Sequence, residues 1–372
     1  MDEPVATEFE VWREPVRGGY PDPAMIGFSG LERLRKWRLE QVPPPPLHHL
    51  TGARPTTFGE GTAEAEMPAS GWLCNPAGVI GGGTLAILAD IAFGCSVETE
   101  LGPATPYTTA ELSLTFLRPA RARAQNAPGE AADVTLTAGG QAIHAGRSVG
   151  LSEAFVIEGN GDRLIAHGTS RLSILPRIDP APDPPEDLPT FEPPSQPTPD
   201  PYRRPPPDTV LDQEIWKELS GAEILQRQIK GELPPPPISY LTGLRPLEAA
   251  EGKVMATMPA SEWLASPTRF LQGGAIAMFA DTAMMMAVLT TAPPGTAVAG
   301  LDLKVNYVRP VPPDGGDLTA QAILEHSGRT LAISRARIAN ADDKAVALAT
   351  GTAMYLPGQP ASLDPDDELS GG

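Results

Sequence analysis

Along this chain, polar and apolar residues alternate with a period of two in several short stretches. Elsewhere apolar residues crowd onto every side of a helical repeat. Leu112, Leu114 and Phe116 alternate with Glu111, Ser113 and Thr115, and Leu301, Leu303, Val305 and Tyr307 alternate with Asp302, Lys304 and Asn306. Both patterns predict half-buried strands. Further strands are expected at 61–67, 131–138, 141–157 and 164–174, and again at 318–324, 329–338 and 345–356. One amphipathic helix is expected at 31–42 and another at 222–233, each ended by four prolines that cannot continue it. The segment 82–99 differs. Leu85, Ile87, Leu88, Ile91, Ala92, Phe93 and Val97 leave it no wet face, so this helix is buried. A buried helix followed by antiparallel strands that must wrap it predicts an α+β architecture.

The pattern occurs twice. A shift of 191 residues aligns the halves without a gap from Gly30/Gly221 to Pro119/Pro310. Leu50-Thr51-Gly52 meets Leu241-Thr242-Gly243, and Trp72-Leu73 meets Trp263-Leu264. Gly82-Gly83 meets Gly273-Gly274, Asp90 meets Asp281, and Arg118-Pro119 meets Arg309-Pro310. From Pro43 to Pro119, 32 of 77 positions are identical, which chance does not produce.

Composition divides the copies. Of 44 prolines, 14 lie between Pro176 and Pro207. The expected division is an N-terminal extension at 1–29, a first domain at 30–176, a proline-rich linker at 177–208, a second domain at 209–358 and a disordered acidic tail at 359–372. At about 3.1 Å per residue in polyproline conformation, such a linker can strap across one composite unit. The formal net charge of −18 argues against nucleic acid and against an anionic membrane surface as partners. A small anionic ligand stays compatible, because a local arginine acts within a Debye length of about 8 Å. Cys74 and Cys95 are the only cysteines, which points to a reducing compartment. The acidic start Met1-Asp2-Glu3-Pro4 does not read as a signal peptide, and no apolar run approaches the ~20 residues of a membrane span. A soluble cytoplasmic protein is expected.

Several of these residues together carry a family likeness. They are the proline run followed by Leu-Thr-Gly, then Asn75-Pro76-x-Gly78-x-x-x-Gly82-Gly83 with Asp90 eight residues past Gly82. The strand ending Phe116-Leu117-Arg118-Pro119 and the segment from Gly328-Arg329-Thr330 to Arg337-Ile338 complete the set. The sequence resembles the hotdog-fold thioesterases of the phenylacetate-degradation branch, in a tandem, double-hotdog form. That resemblance implies two hotdog domains, each an antiparallel sheet wrapped around a buried central helix, packed as an intrachain pseudo-dimer. It implies hydrolysis of acyl-CoA thioesters with no cofactor and no metal. Gly82 and Gly273 would offer backbone N–H groups to the thioester oxygen, Asp90 and Asp281 would act as base or nucleophile, and Asn75 would hold substrate or water. Glycine and acid of one site would come from different domains. The outer faces leave room for a homodimer of such chains.

Elementary chemistry supports these roles. The first N–H groups of a helix lack internal partners and lie at the positive end of its dipole. One preorganised donor to an oxyanion is worth roughly 2.7–4 kcal/mol. Asp90 is the lone charge on an apolar helix, so burial biases its pKa upward. The pattern also breaks. The family's histidine before the glycine pair is Gly81 in one copy and Gln272 in the other, and the Asn75 position is Ser266 in the second. A hydroxyl some eighteen residues after the acid reads Thr108, but Ala299 in the second copy. One site would then hold Asn75, Gly82 and Asp281, and the other Ser266, Gln272, Gly273, Asp90 and Thr108. Gly83, Gly274, Arg118 and Arg309 are further candidates for substrate contact, the arginines through CoA phosphates. Arg147, Arg329 and Arg335 are similar to them. Cys74, His48 and His49 read as packing or surface residues, and Met284, Met285 and Met286 as pliant lining. Two functions stay open: an acyl-CoA thioesterase, and an acyl-ligand-binding hotdog protein without turnover.

Overall fold

The computed structural model describes residues 10–122, 132, 134–159, 163–192 and 194–359. The expected C-terminal tail from 360 onward lies outside them. Each half opens with a capped helix. Ser29 and Glu32 form a reciprocal capping box at α1 (Gly30–Arg38), and Ser220 and Glu223 repeat it at α5 (Gly221–Ile229). These helices stop short of the proline runs. The last proline of each run instead begins a new helix, α2 (Pro46–Thr51) and α6 (Pro237–Thr242). Proline suits a helix's first turn, where its missing N–H has no acceptor to lose. A short helix α4 (Gln213–Glu218) precedes the second half. The apolar segments form α3 (Gly82–Glu98) and α7 (Gly273–Leu289), both buried on nearly every side.

Six strands wrap each central helix. In the first half they are β1 (Arg54–Gly59), β2 (Thr62–Pro68), β3 (Tyr107–Phe116), β4 (Thr135–Ala145), β5 (Val149–Glu158) and β6 (Arg163–Ile174). In the second they are β7 (Arg245–Ala250), β8 (Lys253–Pro259), β9 (Thr296–Tyr307), β10 (Asp317–Ser327), β11 (Leu331–Ala339) and β12 (Ala345–Pro357). The strands β1 and β7 escape the alternation reading because their burial is irregular. All twelve join one antiparallel sheet in the order β1-β2-β4-β5-β6-β3-β9-β12-β11-β10-β8-β7. At the seam β3 pairs with β9, and Ser113 faces its own repeat counterpart Lys304. That pairing sets a pseudo-two-fold axis through the sheet, and α3 packs against α7 in one continuous core.

The linker follows the first half closely. Ile178 N–H donates to Ala104 O (2.9 Å), Gln41 Nε2 to Leu188 O (2.9 Å), Arg17 Nη1 to Thr198 O (2.8 Å), and Leu211 N–H to Pro76 O (2.9 Å). Its end is itself part of the repeat, which the 191-residue register hides because the shift here is one residue shorter. Trp12-Arg13-Glu14-Pro15 corresponds to Tyr202-Arg203-Arg204-Pro205. Each of these arms lies on the other half. Trp263 Nε1 donates to Glu14 O (3.1 Å), and Trp72 Nε1 donates to Arg204 O (2.7 Å). A bidentate Arg204–Glu14 pair at 2.7 and 2.9 Å ties the two arms together.

Candidate active site

The two central helices place two carboxylates at two helix N-termini. Gly274 N–H, in the first turn of α7, donates to Asp90 Oδ2 at 3.0 Å. Gly83 N–H, in the first turn of α3, donates to Asp281 Oδ2 at 2.8 Å. Each site is therefore built across the halves. An eight-residue separation along a helix puts the sites roughly 12 Å apart. Glycine permits this approach. A Cβ on Gly83 would lie 2.5 Å from the Asp281 Cβ, and one on Gly274 would lie 2.3 Å from the Ala86 carbonyl oxygen. Gly82 and Gly273 are the first residues of their helices, whose N–H groups find no acceptor within the helix.

Both acids are buried inside the core, and burial pushes both pKa values up. For Asp90, the Thr109 hydroxyl and the Gly274 and Gly273 N–H groups pull the other way without cancelling it. Asp281 is pushed up to about 6 by burial, against the Gly83 N–H, with the neighbouring Asp302 charge adding to the rise.

The hydroxyl that reaches Asp90 is Thr109, whose Oγ1 donates to Oδ1 at 2.9 Å. Thr108, the residue expected there, is exposed. Strand alternation sends neighbours to opposite faces, and a bulge between Thr109 and Glu111 prevents simple counting back from the strand's regular part. In the second copy Gly300 stands where Thr109 stands in the first, so Asp281 has no such hydroxyl.

Two further positions separate the sites. Tyr307 donates its hydroxyl to the Gly273 carbonyl at 2.7 Å, whereas its counterpart Phe116 packs on Gly82. Gln272 Nε2 donates to Ile87 O at 2.9 Å, and its Oε1 is buried without a hydrogen bond to any described residue. Its counterpart Gly81 carries no side chain. The Asp90 site is thus lined by Thr109, Gln272 and Tyr307, and the Asp281 site by Gly300, Gly81 and Phe116. Thr109 and Tyr307 escape the sequence reading, although the unequal pairs Thr109/Gly300 and Phe116/Tyr307 are visible in the repeat register.

The remaining candidates serve nearby structure. The Asn75 side-chain oxygen accepts from Ala77 N–H (2.9 Å) and Val79 N–H (3.2 Å), shaping the turn before α3. Ser266 Oγ lies 2.8 Å from Thr268 Oγ1 and donates to Phe270 O at 3.0 Å, doing the same before α7. Arg118 Nη1 donates to Leu164 O at 2.8 Å, and Arg309 to Ala345 O, so both clip strand ends. Arg147 and Arg329 are exposed, and Arg335 pairs with Glu325. Burial drives the Cys74 thiol up to about 12 and the His48 imidazole down to about 3. His49 faces Asp200 at 3.1 Å. Met284 and Met286 are buried, and Met285 lies beside Gly300. Among the described residues, no three His, Cys, Asp or Glu gather as a metal site, and no helix is long and apolar enough to cross a membrane.

Known proteins share parts of this sequence and fold. The family model of the thioesterase superfamily matches residues 77–125 and 270–347, one segment in each half. A Haemophilus influenzae relative named as an esterase is 28% identical over 130 residues, covering 35% of this chain and 89% of its own. The tesB protein of Mycobacterium avium subs paratuberculosis superposes with a TM-score of 0.51 at 15% identity, over 84% of this chain and 98% of that one. This likeness is one of fold, and it extends across both halves. The E. coli PaaI protein from the phenylacetic acid degradation operon covers 37% of this chain and 95% of its own, at 23% identity and a TM-score of 0.33.

Proposed function

We propose that this chain, a tandem hotdog protein of the thioesterase superfamily, hydrolyses acyl-CoA thioesters in the cytoplasm, with turnover at the Asp90 site. The observation that carries the proposal is Asp90 itself. It is a buried carboxylate from one half, hydrogen-bonded to an N-terminal amide of the other half's helix. The thioester carbonyl oxygen takes the Gly273 end of α7, where the first-turn N–H groups and the helix dipole stabilise the oxyanion. Asp90 accepts a proton from water as the water oxygen attacks the carbonyl carbon. The tetrahedral adduct collapses, the C–S bond breaks, and the departing thiolate takes the proton back from Asp90. Both Asp90 oxygens already hold hydrogen bonds, from Thr109 and Gly274, and this supports proton transfer over direct attack by the carboxylate. Its raised pKa makes it a stronger base than an exposed aspartate.

The Asp281 site keeps the acid and the helix terminus but lacks the polar side chains around them. It holds a thioester without turning it over at a comparable rate. Thiol release from short, medium, long and aromatic acyl-CoAs tests the proposal. Release that disappears in the Asp90→Asn, Asp281→Asn double variant is the expected outcome. No release from any of them by the wild-type protein would leave ligand binding without turnover as the function.

A further inference from the structure

The turns that lead into α7 and α3 differ as much as the residues around the two acids. Before α7 the chain makes a tight turn. Ser266 N–H donates to Phe270 O at 2.8 Å and Arg269 N–H to Ser266 O at 3.0 Å. Arg269 sits in this turn at φ +64°, a left-handed conformation that costs any residue with a Cβ. The corresponding residue of the first copy is Gly78, at φ +74°, where the same backbone is free of strain. An arginine therefore stands where the backbone favours glycine.

Its side chain stacks on an aromatic ring and joins no ion pair among the described residues. The guanidinium lies 4.6 Å over the Tyr20 ring, and no carboxylate among the described residues is within ion-pair distance of it. Glu262, the acid of this cluster, accepts the Tyr20 hydroxyl at 2.8 Å. Pro267, Thr268, Arg269 and Phe270 are all exposed. At the other site the equivalent turn is covered. Residues just past the linker lie across it, with Leu211 N–H bonded to Pro76 O at 2.9 Å, Val210 against Gly78, and Ala77 packed on the cluster of Leu211, Trp216 and Ile224. The uncovered turn leads into α7, the helix whose N-terminus meets Asp90.

We infer that Arg269 binds a phosphate of the CoA moiety as the thioester enters the Asp90 site, an inference that rests on the acyl-CoA reading above. Arginine on an aromatic face presents its fork of N–H donors outward and matches phosphate oxygens in pairs. In a chain of net charge −18, an exposed cation on one turn and a glycine on the other select which site an anionic ligand approaches. The same net charge opposes an acidic carrier protein as the donor of the thioester and favours the small nucleotide-bearing thiol.

The full chain, Arg269→Gly and Arg269→Lys are compared on one acyl group carried by CoA, by 4′-phosphopantetheine and by unphosphorylated pantetheine. Arg269→Gly should raise KM for acyl-CoA by about tenfold, as expected for loss of a charge-assisted contact. It should leave the acyl-pantetheine kinetics unchanged, and its melting temperature should hold or rise as the backbone strain is released. Arg269→Lys should retain part of the affinity. A KM that does not change on either phosphorylated substrate, or that changes equally on pantetheine, overturns the inference. Calorimetric binding of free CoA to wild type and Arg269→Gly reports on Arg269 even if no thioester is hydrolysed, so its failure is separable from failure of the hydrolase reading.

Discussion

Asp90→Asn is expected to lower kcat/KM for acyl-CoA hydrolysis by about a thousandfold, the middle of the range for a lost general base. Asp281→Asn should leave most of the activity in place. The two acids occupy matching positions of one repeat, 191 residues apart, so the contrast rests on their surroundings. Asp90 is held from two sides, by Thr109 at 2.9 Å and Gly274 at 3.0 Å. Asp281 meets Gly83, and Gly300 stands where the threonine would be. Kinetics on both variants across pH check this, and the wild-type profile should show its acidic limb above the ordinary carboxylate range, because burial raises the Asp90 pKa. Equal losses in the two variants would remove the asymmetry.

The second large effect is on stability. Asp281 titrates at about 6 in the folded chain, against roughly 3.9 for an unperturbed aspartate. A carboxyl with a raised folded pKa binds its proton more tightly in the folded state. Its contribution is most favourable below about pH 4, declines as pH rises through 6, and is constant above, where the ionised group costs about 3 kcal/mol. Asparagine keeps an acceptor for the Gly83 N–H and removes the charge. Asp281→Asn should therefore melt several degrees above wild type at pH 7.5, and the gain should shrink by about half at pH 5. Thermal melts at the two pH values check this, and a variant that is less stable at pH 7.5 would show that the ionised carboxylate holds the helices together.

Much of the fold is legible in the residues. The period-two runs mark the regular strands, the all-apolar segments mark α3 and α7, and the internal repeat marks a pseudo-dimer. The glycine pairs and the two aspartates stand out in the repeat, and the structure brings them into contact across the halves. What the sequence hides is local and has physical causes. A bulge shifts the inward face from Thr108 to Thr109, so counting from the acid lands on the wrong side of the strand. A proline can end one helix and begin another, which conceals α2 and α6. The arms at Trp12 and Tyr202 repeat with a one-residue offset, and the partner of each is on the opposite half. Asn75 and Arg118 are the right residue types for ligand contact, but their polar atoms are engaged by the backbone around them.

The proposed working site joins Asp90 and Thr109 of the first half to Gln272 and the α7 terminus of the second. A double-mutant cycle on kcat/KM with Thr109→Val and Gln272→Ala tests it most directly. Thr109 bonds Asp90, and Gln272 precedes the helix terminus that meets the same acid, so their effects should be non-additive by at least about 1 kcal/mol, while each should be additive with Asp281→Asn. Additivity between Thr109 and Gln272, with coupling of either to Asp281 instead, would contradict the account.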